Sequence, residues 1–348
     1  MAGHGGILRS RGGDRRLRCR EGPVTDTLQA RSPWQAGDPV VRRRLLVAVT
    51  AGSALLVAVY GFPTGRDVIV GWLLVFLLAL CGGDLRAWRR AVVHDWLAYV
   101  AVLFAYDALR GQAHRLGGGL AGGRALTDGD GHLVHAFVTP QLDADRWLFA
   151  GHVPTVWLQH QLFDATRVHW YDVAVVPVYM SHFVVPTALA AVLWVRSYPA
   201  FRRYIATFVT LTAMTLVTYT LFPAVPPWMA SLNGYLPAGV LRVVPVTLLS
   251  TGIGTIQSAV EHGQAYANPV AAVPSLHSAV PMLLVLMFWS RARWPGRAAM
   301  CGYAAAMTFT LVYGGEHYVV DVLLGWAYAA AALVVVDRVR SRRVSAQA

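Results

Sequence analysis

Between residues 45 and 336 the chain alternates apolar runs with short polar stretches. Eight runs approach the roughly 17–25 residues a membrane-crossing helix needs. They are Leu45–Phe62, Val68–Cys81, Val92–Leu109, Tyr171–Val195, Tyr204–Phe222, Leu276–Ser290, Ala298–Tyr313 and Tyr318–Val336. The pattern predicts an all-α polytopic membrane helical bundle of about eight spans. Two longer segments interrupt it. Residues 110–170 are rich in Gly, His and Asp, with an amphipathic stretch over Trp147–Phe163 suited to the membrane interface. Residues 223–274 carry clustered prolines and a moderately apolar piece, Val243–Val260, whose Gly252, Gly254 and Gln257 make it a re-entrant or interfacial helix rather than a span. No Pro- or Ser-rich linker divides the runs, so residues 42–337 are expected to form one membrane domain.

Charge orders these segments. All 30 basic residues are Arg, and the formal net charge is +12. Residues 1–41 are Gly- and Arg-rich and read as a disordered basic tail, and residues 338–348 as a second one. A cleaved signal peptide is not expected, because the first apolar run begins only near Leu45. With both termini cytoplasmic, alternating the eight spans puts 23 of the 30 arginines on the inside. Seven remain outside: Arg66, Arg110, Arg115, Arg124, Arg146, Arg167 and Arg242. That is the bias of positive-inside sorting, in a protein of the plasma membrane. The arginines flank apolar runs, so nucleic acid is not an expected partner. With 56% hydrophobic and 14% charged residues and a mean hydropathy of +0.46, the chain is not an ordinary soluble enzyme, which carries about 25% charged residues. Cys19, Cys81 and Cys301 are too scattered for a disulfide framework.

Candidate chemistry lies in two stretches. In Ala272-Val273-Pro274-Ser275-Leu276-His277, Ser275 can cap a helix start and His277 falls in its first turn, at the outer end of the sixth span. A helix N-terminus is a natural anion site; the alternative is a histidine satisfied by a neighbouring helix. In Gly314-Gly315-Glu316-His317-Tyr318-Val319-Val320-Asp321, His317 and Asp321 are four residues apart and share a helix face. A carboxylate there fixes one imidazole nitrogen and leaves the other as an oriented nucleophile or base. An acid inside an apolar span is costly and marks function.

Pro274-Ser275-Leu276-His277 and His317-x-x-x-Asp321 resemble the second and third signature motifs of the type 2 phosphatidic acid phosphatase superfamily. Phe222-Pro223-Ala224-Val225-Pro226-Pro227-Trp228 is similar to the first motif of its branch containing inositol phosphorylceramide synthase and the sphingomyelin synthases. The resemblance covers roughly residues 170–337. It implies a six-helix core with its site near the extracytoplasmic face, His317 as a nucleophile forming a phosphohistidine, Asp321 as its orienting partner and His277 as acid and base. It implies no metal and no cofactor. His132, His135, His152, His160 and His169 share a loop without zinc-ligand spacing.

Departures from the wider superfamily direct the choice of substrate. Its phosphatases hold a phosphomonoester with a Lys and two Arg. Here Leu311 occupies one of those places, Pro227 and Trp228 stand in the first motif, and the chain has no Lys. A phosphomonoester carries nearly two negative charges at neutral pH and a diester one. A cation-poor site therefore suits a phospholipid donor whose phospho-headgroup, inositol phosphate among the candidates, passes to a lipid or glycan hydroxyl. Ser275 and Arg242 are candidates to hold that headgroup, and Arg242 can replace a missing cation. Glu316 reads either as a contact to a polyol hydroxyl or as a boundary charge, and His182 either as a headgroup contact or as a helix–helix hydrogen bond. Trp147, Trp157 and Trp228 read as interface anchors, and His94 with Asp95 as a structural pair. The competing functions are a lipid or polyprenyl phosphate phosphatase and a non-catalytic lipid-binding or transport protein; the oriented His317–Asp321 pair opposes the last.

Overall fold

A computed structural model describes residues 1, 37–60, 66–110, 123–251 and 270–346. Most of the expected N-terminal tail lies outside these residues, as do Gly252, Gly254 and Gln257. Each of the eight apolar runs is helical over most of its described residues. The helices are α1 (Pro39–Tyr60), α2 (Arg66–Leu80), α3 (Leu85–Ala91), α4 (Leu97–Arg110), α5 (Thr139–Leu148), α6 (Pro154–Leu162), α7 (Trp170–Arg196), α8 (Tyr198–Leu221), α9 (Pro227–Leu232), α10 (Val243–Ser250), α11 (Leu276–Phe288), α12 (Trp294–Tyr313) and α13 (Val319–Ser345). Among the described residues, α7, α8 and residues 319–343 of α13 are long and apolar enough to cross a membrane, and Asp67–Leu80 and Leu276–Phe288 are shorter apolar helices.

Boundaries differ from the sequence expectation where local chemistry intervenes. The third run starts at Leu85 because Asp84 caps it, accepting from the Arg86 and Ala87 N–H groups. A π-helical turn, Val92–Trp96, joins α3 to α4. The single amphipathic stretch expected over Trp147–Phe163 is two helices, broken where Ala150 and Gly151 take positive φ and Pro154 opens α6. Trp147 and Trp157 are exposed, as interface anchors would be, whereas Trp228 is half-buried. α13 runs on through the first residues of the expected C-terminal tail.

A two-stranded hairpin, β1 (Arg124–Thr127) with β2 (Leu133–Ala136), had no counterpart in the sequence expectation. Its side chains Leu126, Val134 and Ala136 pack with Leu142, Val225, Met229, Ala230 and Tyr318. Phe137, Ala224 and Ala271 then pair in parallel bridges, so the hairpin, the proline-rich segment and the chain leading to α11 form one cap. In the hairpin turn, ligand atoms of Asp128, Asp130 and His132 lie within 4.8 Å of one another. Asp128 Oδ1 accepts the backbone N–H groups of Asp130 and His132, which accounts for that proximity as turn geometry.

The bundle has two chemically distinct ends. At one, Asp95 is buried and accepts from Trp194 Nε1 (2.8 Å) and Tyr198 OH (2.6 Å), while Arg203 forks onto Asp337 (2.8 and 2.6 Å). Asp95 is therefore paired with α7 and α8 rather than with His94, as expected from sequence, because adjacent helical residues point in different directions. Trp96, Tyr99, Trp194, Phe201 and Phe208 pack edge-to-face or tilted around it. At the other end, Tyr219 OH donates to Pro274 O at 2.8 Å, where α11 begins. Removing a buried charged acceptor leaves two donors unsatisfied, so Asp95→Ala should cost about 1.5–3 kcal/mol. The expected readout is a lower apparent melting temperature in detergent; an unchanged one would mean that Asp95 does not tie α4 to α7 and α8.

Candidate active site

Close backbone approach brings the two histidine motifs together. The Ser275 N–H donates to Asp321 O at 2.9 Å, so α11 starts against the first turn of α13. Gly325 permits that contact: a Cβ there would lie 2.3 Å from Ser275 O. Ser275 caps α11 as expected, its hydroxyl accepting from Ser278 N at 3.3 Å. Ser275 is fully buried.

His317 lies just beyond the end of α12. Gly315 takes φ +75°, and the N–H groups of Glu316 and His317 both bond to Leu311 O (3.0 and 3.2 Å). The His317 Nδ1 faces Asp321 Oδ2 at 3.5 Å, and the same oxygen accepts from Tyr318 N at 2.9 Å. Asp321 has no exposed surface and His317 only 6%. An acid on the Nδ1 side favours the tautomer that leaves Nε2 as the reactive nitrogen. The His277 ring lies 5.9 Å from the His317 ring, centroid to centroid. The two imidazoles therefore belong to one cluster, as a nucleophile and a proton donor acting on the same group would.

His277 is in turn held by aromatic stacking. His182 stacks on it at 3.9 Å and Tyr179 at 5.1 Å, both from α7. His182 is thus placed against a site histidine. Tyr179 hydrogen-bonds to Arg242. The Arg242 fork grips Glu316, Nε to Oε1 at 2.9 Å and Nη2 to Oε2 at 3.3 Å, with its guanidinium 5.1 Å over the Trp228 ring. Burial pulls the Arg242 pKa down, but Glu316 and Tyr179 more than offset this and leave it above its ordinary value. Glu316 therefore serves as the counter-ion of the site arginine. Pro227 is buried at the first position of α9, and Trp228 N donates to Gly315 O at 3.1 Å, docking the proline-rich motif onto the glycine turn.

Three positioning residues escaped the sequence reading. Gln159, buried on α6, donates to Leu241 O and Tyr313 O, both at 2.8 Å, and accepts from Leu241 N, clamping the Arg242 segment to the end of α12. Asp145 on α5 accepts from Val319 N (3.1 Å) and Val320 N (2.8 Å), capping α13 from 174 residues away. Burial pushes its carboxyl above the usual range, against the pull of those two N–H groups. Tyr179 lies three residues before His182 on the same helix face, a spacing that could have flagged it.

Gly315 is a second point of close approach. A Cβ there would lie 2.5 Å from Leu241 O and 3.2 Å from Gln159 Nε2, on a backbone that L side chains rarely adopt. Gly315→Ala should displace the Arg242 segment and cut turnover by about 10²-fold, as small misplacements around reacting groups do. Near-normal turnover would show that the Arg242–Glu316 arrangement does not govern the site.

Comparison with known proteins gives the chain a family. A phosphoinositol dihydroceramide synthase from Bacteroides thetaiotaomicron is 31% identical over 135 residues, covering 35% of this chain and 41% of the relative. The chain therefore spans about two fifths of that relative's length. No solved structure matches. Residues 142–335 match the PAP2 superfamily, beginning at α5 rather than at the expected residue 170. That match takes in more than half of the chain and every residue of the histidine cluster, and the protein is a helical membrane protein of the PAP2 superfamily.

Proposed function

We propose that the protein is an integral membrane phosphotransferase that moves a phospho-headgroup from a phospholipid donor to a hydroxyl acceptor. In this reading His317 Nε2 attacks phosphorus and the bond from phosphorus to the diacylglycerol oxygen breaks. The departing oxygen takes a proton from His277. The acceptor hydroxyl then gives its proton to His277 and attacks phosphorus, and the bond to His317 breaks. Asp321 holds the imidazole in the required tautomer throughout and balances the charge it gains. Tyr179 and His182 fix the plane of His277. The arginine split supports cytoplasmic termini and an extracytoplasmic site in an eight-span arrangement.

The observation that carries the choice of a diester is the pairing of Arg242. Among the described residues, Arg242 is the guanidinium tied to the histidine cluster, through Tyr179, and its charge is already matched by Glu316. A site balanced in this way can compensate the single charge of a phosphodiester through helix-end N–H groups. A phosphomonoester dianion would remain undercompensated where water is scarce. The curated relative acts, by its name, in phosphoinositol dihydroceramide synthesis. That supports an inositol-phosphate donor and a lipid acceptor.

The test compares kcat/KM for phosphatidylinositol and phosphatidic acid in the same mixed micelles, with and without an alcohol acceptor. Each charge-assisted hydrogen bond that a dianion forgoes is worth roughly 1.5–3 kcal/mol, so the diester should lead by about a hundredfold. His317→Ala should abolish turnover, and Asp321→Asn should reduce it about 10²–10⁴-fold. Faster phosphate release from phosphatidic acid would leave the lipid phosphatase reading in its place.

A further inference from the structure

The α3 helix and the π-helical turn after it carry a second, unassigned cluster. Arg86, Arg89, Arg90, Val93 and His94 line one cavity. Their spacing is i, i+3, i+4, i+7, i+8, so one face of the helix supplies all five. The opposite face is fixed in the bundle: Ala87, Ala91, Asp95 and Trp96 are buried, and Trp88 Nε1 donates to Leu74 O at 3.0 Å. Arg86, Arg89 and Arg90 are exposed, and among the described residues none of their guanidinium groups has an ion-pair or hydrogen-bond partner. Asp84, the nearest acid in sequence, is occupied as the cap of α3.

Two further observations identify the missing partner. First, Val93 in the lining is 49% exposed, and Leu85 and Leu97, which flank these residues in the chain, are 65% and 53% exposed, so the arginines stand among exposed apolar side chains. A free aqueous anion has no use for such a rim, whereas the acyl chains of a lipid do. Second, the cavity and the histidine site lie at opposite ends of α8. Arg202, near its start, donates to His94 O at 3.2 Å, and Tyr219, near its end, reaches Pro274. The helix has 24 residues, or about 36 Å at 1.5 Å per residue, enough to cross a bilayer. The cluster therefore cannot be a subsite of the histidine centre, and it precedes the residues that match the superfamily.

We propose that Arg86, Arg89, Arg90 and His94 bind the phosphate of an anionic phospholipid in the leaflet opposite the catalytic site. The three guanidinium groups supply forked donors to the phosphate oxygens, and Leu85, Val93 and Leu97 take the adjoining acyl chains. The π-helical turn fits this role. It widens the helix where His94 joins the arginines while Asp95, one residue on, stays anchored to Trp194 and Tyr198.

The purified full chain in dodecyl maltoside is titrated with dioleoyl phosphatidylglycerol, with dioleoyl phosphatidylcholine and with sodium phosphate. Thermal shift and native mass spectrometry are the readouts. Phosphatidylglycerol should be retained and should raise the melting temperature, whereas phosphatidylcholine and phosphate should do neither. R86Q/R89Q/R90Q should weaken phosphatidylglycerol binding by about a hundredfold. Should that variant fail to insert, the single R89Q, which leaves most of the positive charge in place, should still lose about fivefold. Unchanged phosphatidylglycerol binding by whichever of these variants folds would overturn the proposal, as would equal stabilisation by sodium phosphate alone.

Discussion

A carboxylate with no exposed surface stands in the first turn of an apolar helix, and the rest of the site is arranged around it. Burying Asp321 would be prohibitive without partners. Its Oδ2 is met by His317 Nδ1 and by Tyr318 N, and its backbone carbonyl anchors the start of α11 through Ser275. Those contacts require α11 and α13 to touch, which Gly325 permits, and require α12 to end in a turn that returns the chain at once, which Gly314 and Gly315 provide. Asp145 and Gln159 then hold the turn from outside, from helices remote in sequence. The His317–Asp321 pair is thus a consequence of how three helix ends are tied, and local sequence supplies only its two members.

The same constraint explains what the sequence could and could not disclose. Spans are long, continuous signals, and the eight apolar runs all appear as helices, with ends moved by caps such as Asp84, while the amphipathic stretch outside them is broken at Gly151. His277, His317 and Asp321 stand out because short motifs fix their spacing within a turn of helix. By contrast, the hairpin of β1 and β2 uses four-residue strands, too short for an alternating pattern to show. Asp145 looks like any charge on an amphipathic helix until Val319 and Val320 arrive from the far end of the chain. Arg242 could be named as a possible cation, but its pairing with Glu316 depends on the Gly315 turn, which no local pattern reports. Ser275 shows a part that its motif did predict: its hydroxyl accepts from Ser278 N and caps α11.

Charge divides the bundle between its ends. One end carries a balanced set, with Arg242 matched by Glu316 and His317 by Asp321, and on that balance the proposed diester substrate rests. The other gathers arginines in excess, part of it spent on Asp95 and Asp337 and part left at Arg86, Arg89 and Arg90. The 24-residue α8 runs between the two, reaching the histidine cluster near its end and the basic cluster near its start.

The most direct measurement of the central claim is the identity of the phosphorylated atom during turnover. The enzyme would be mixed with phosphatidylinositol, quenched in base within the first turnover, digested and mapped by mass spectrometry. The account predicts an acid-labile, base-stable phosphoinositol adduct on the peptide containing His317, absent in His317→Ala and preserved in His277→Ala when a good leaving group replaces diacylglycerol. An adduct on His277, or full single-turnover product formation with no adduct at His317, would contradict it.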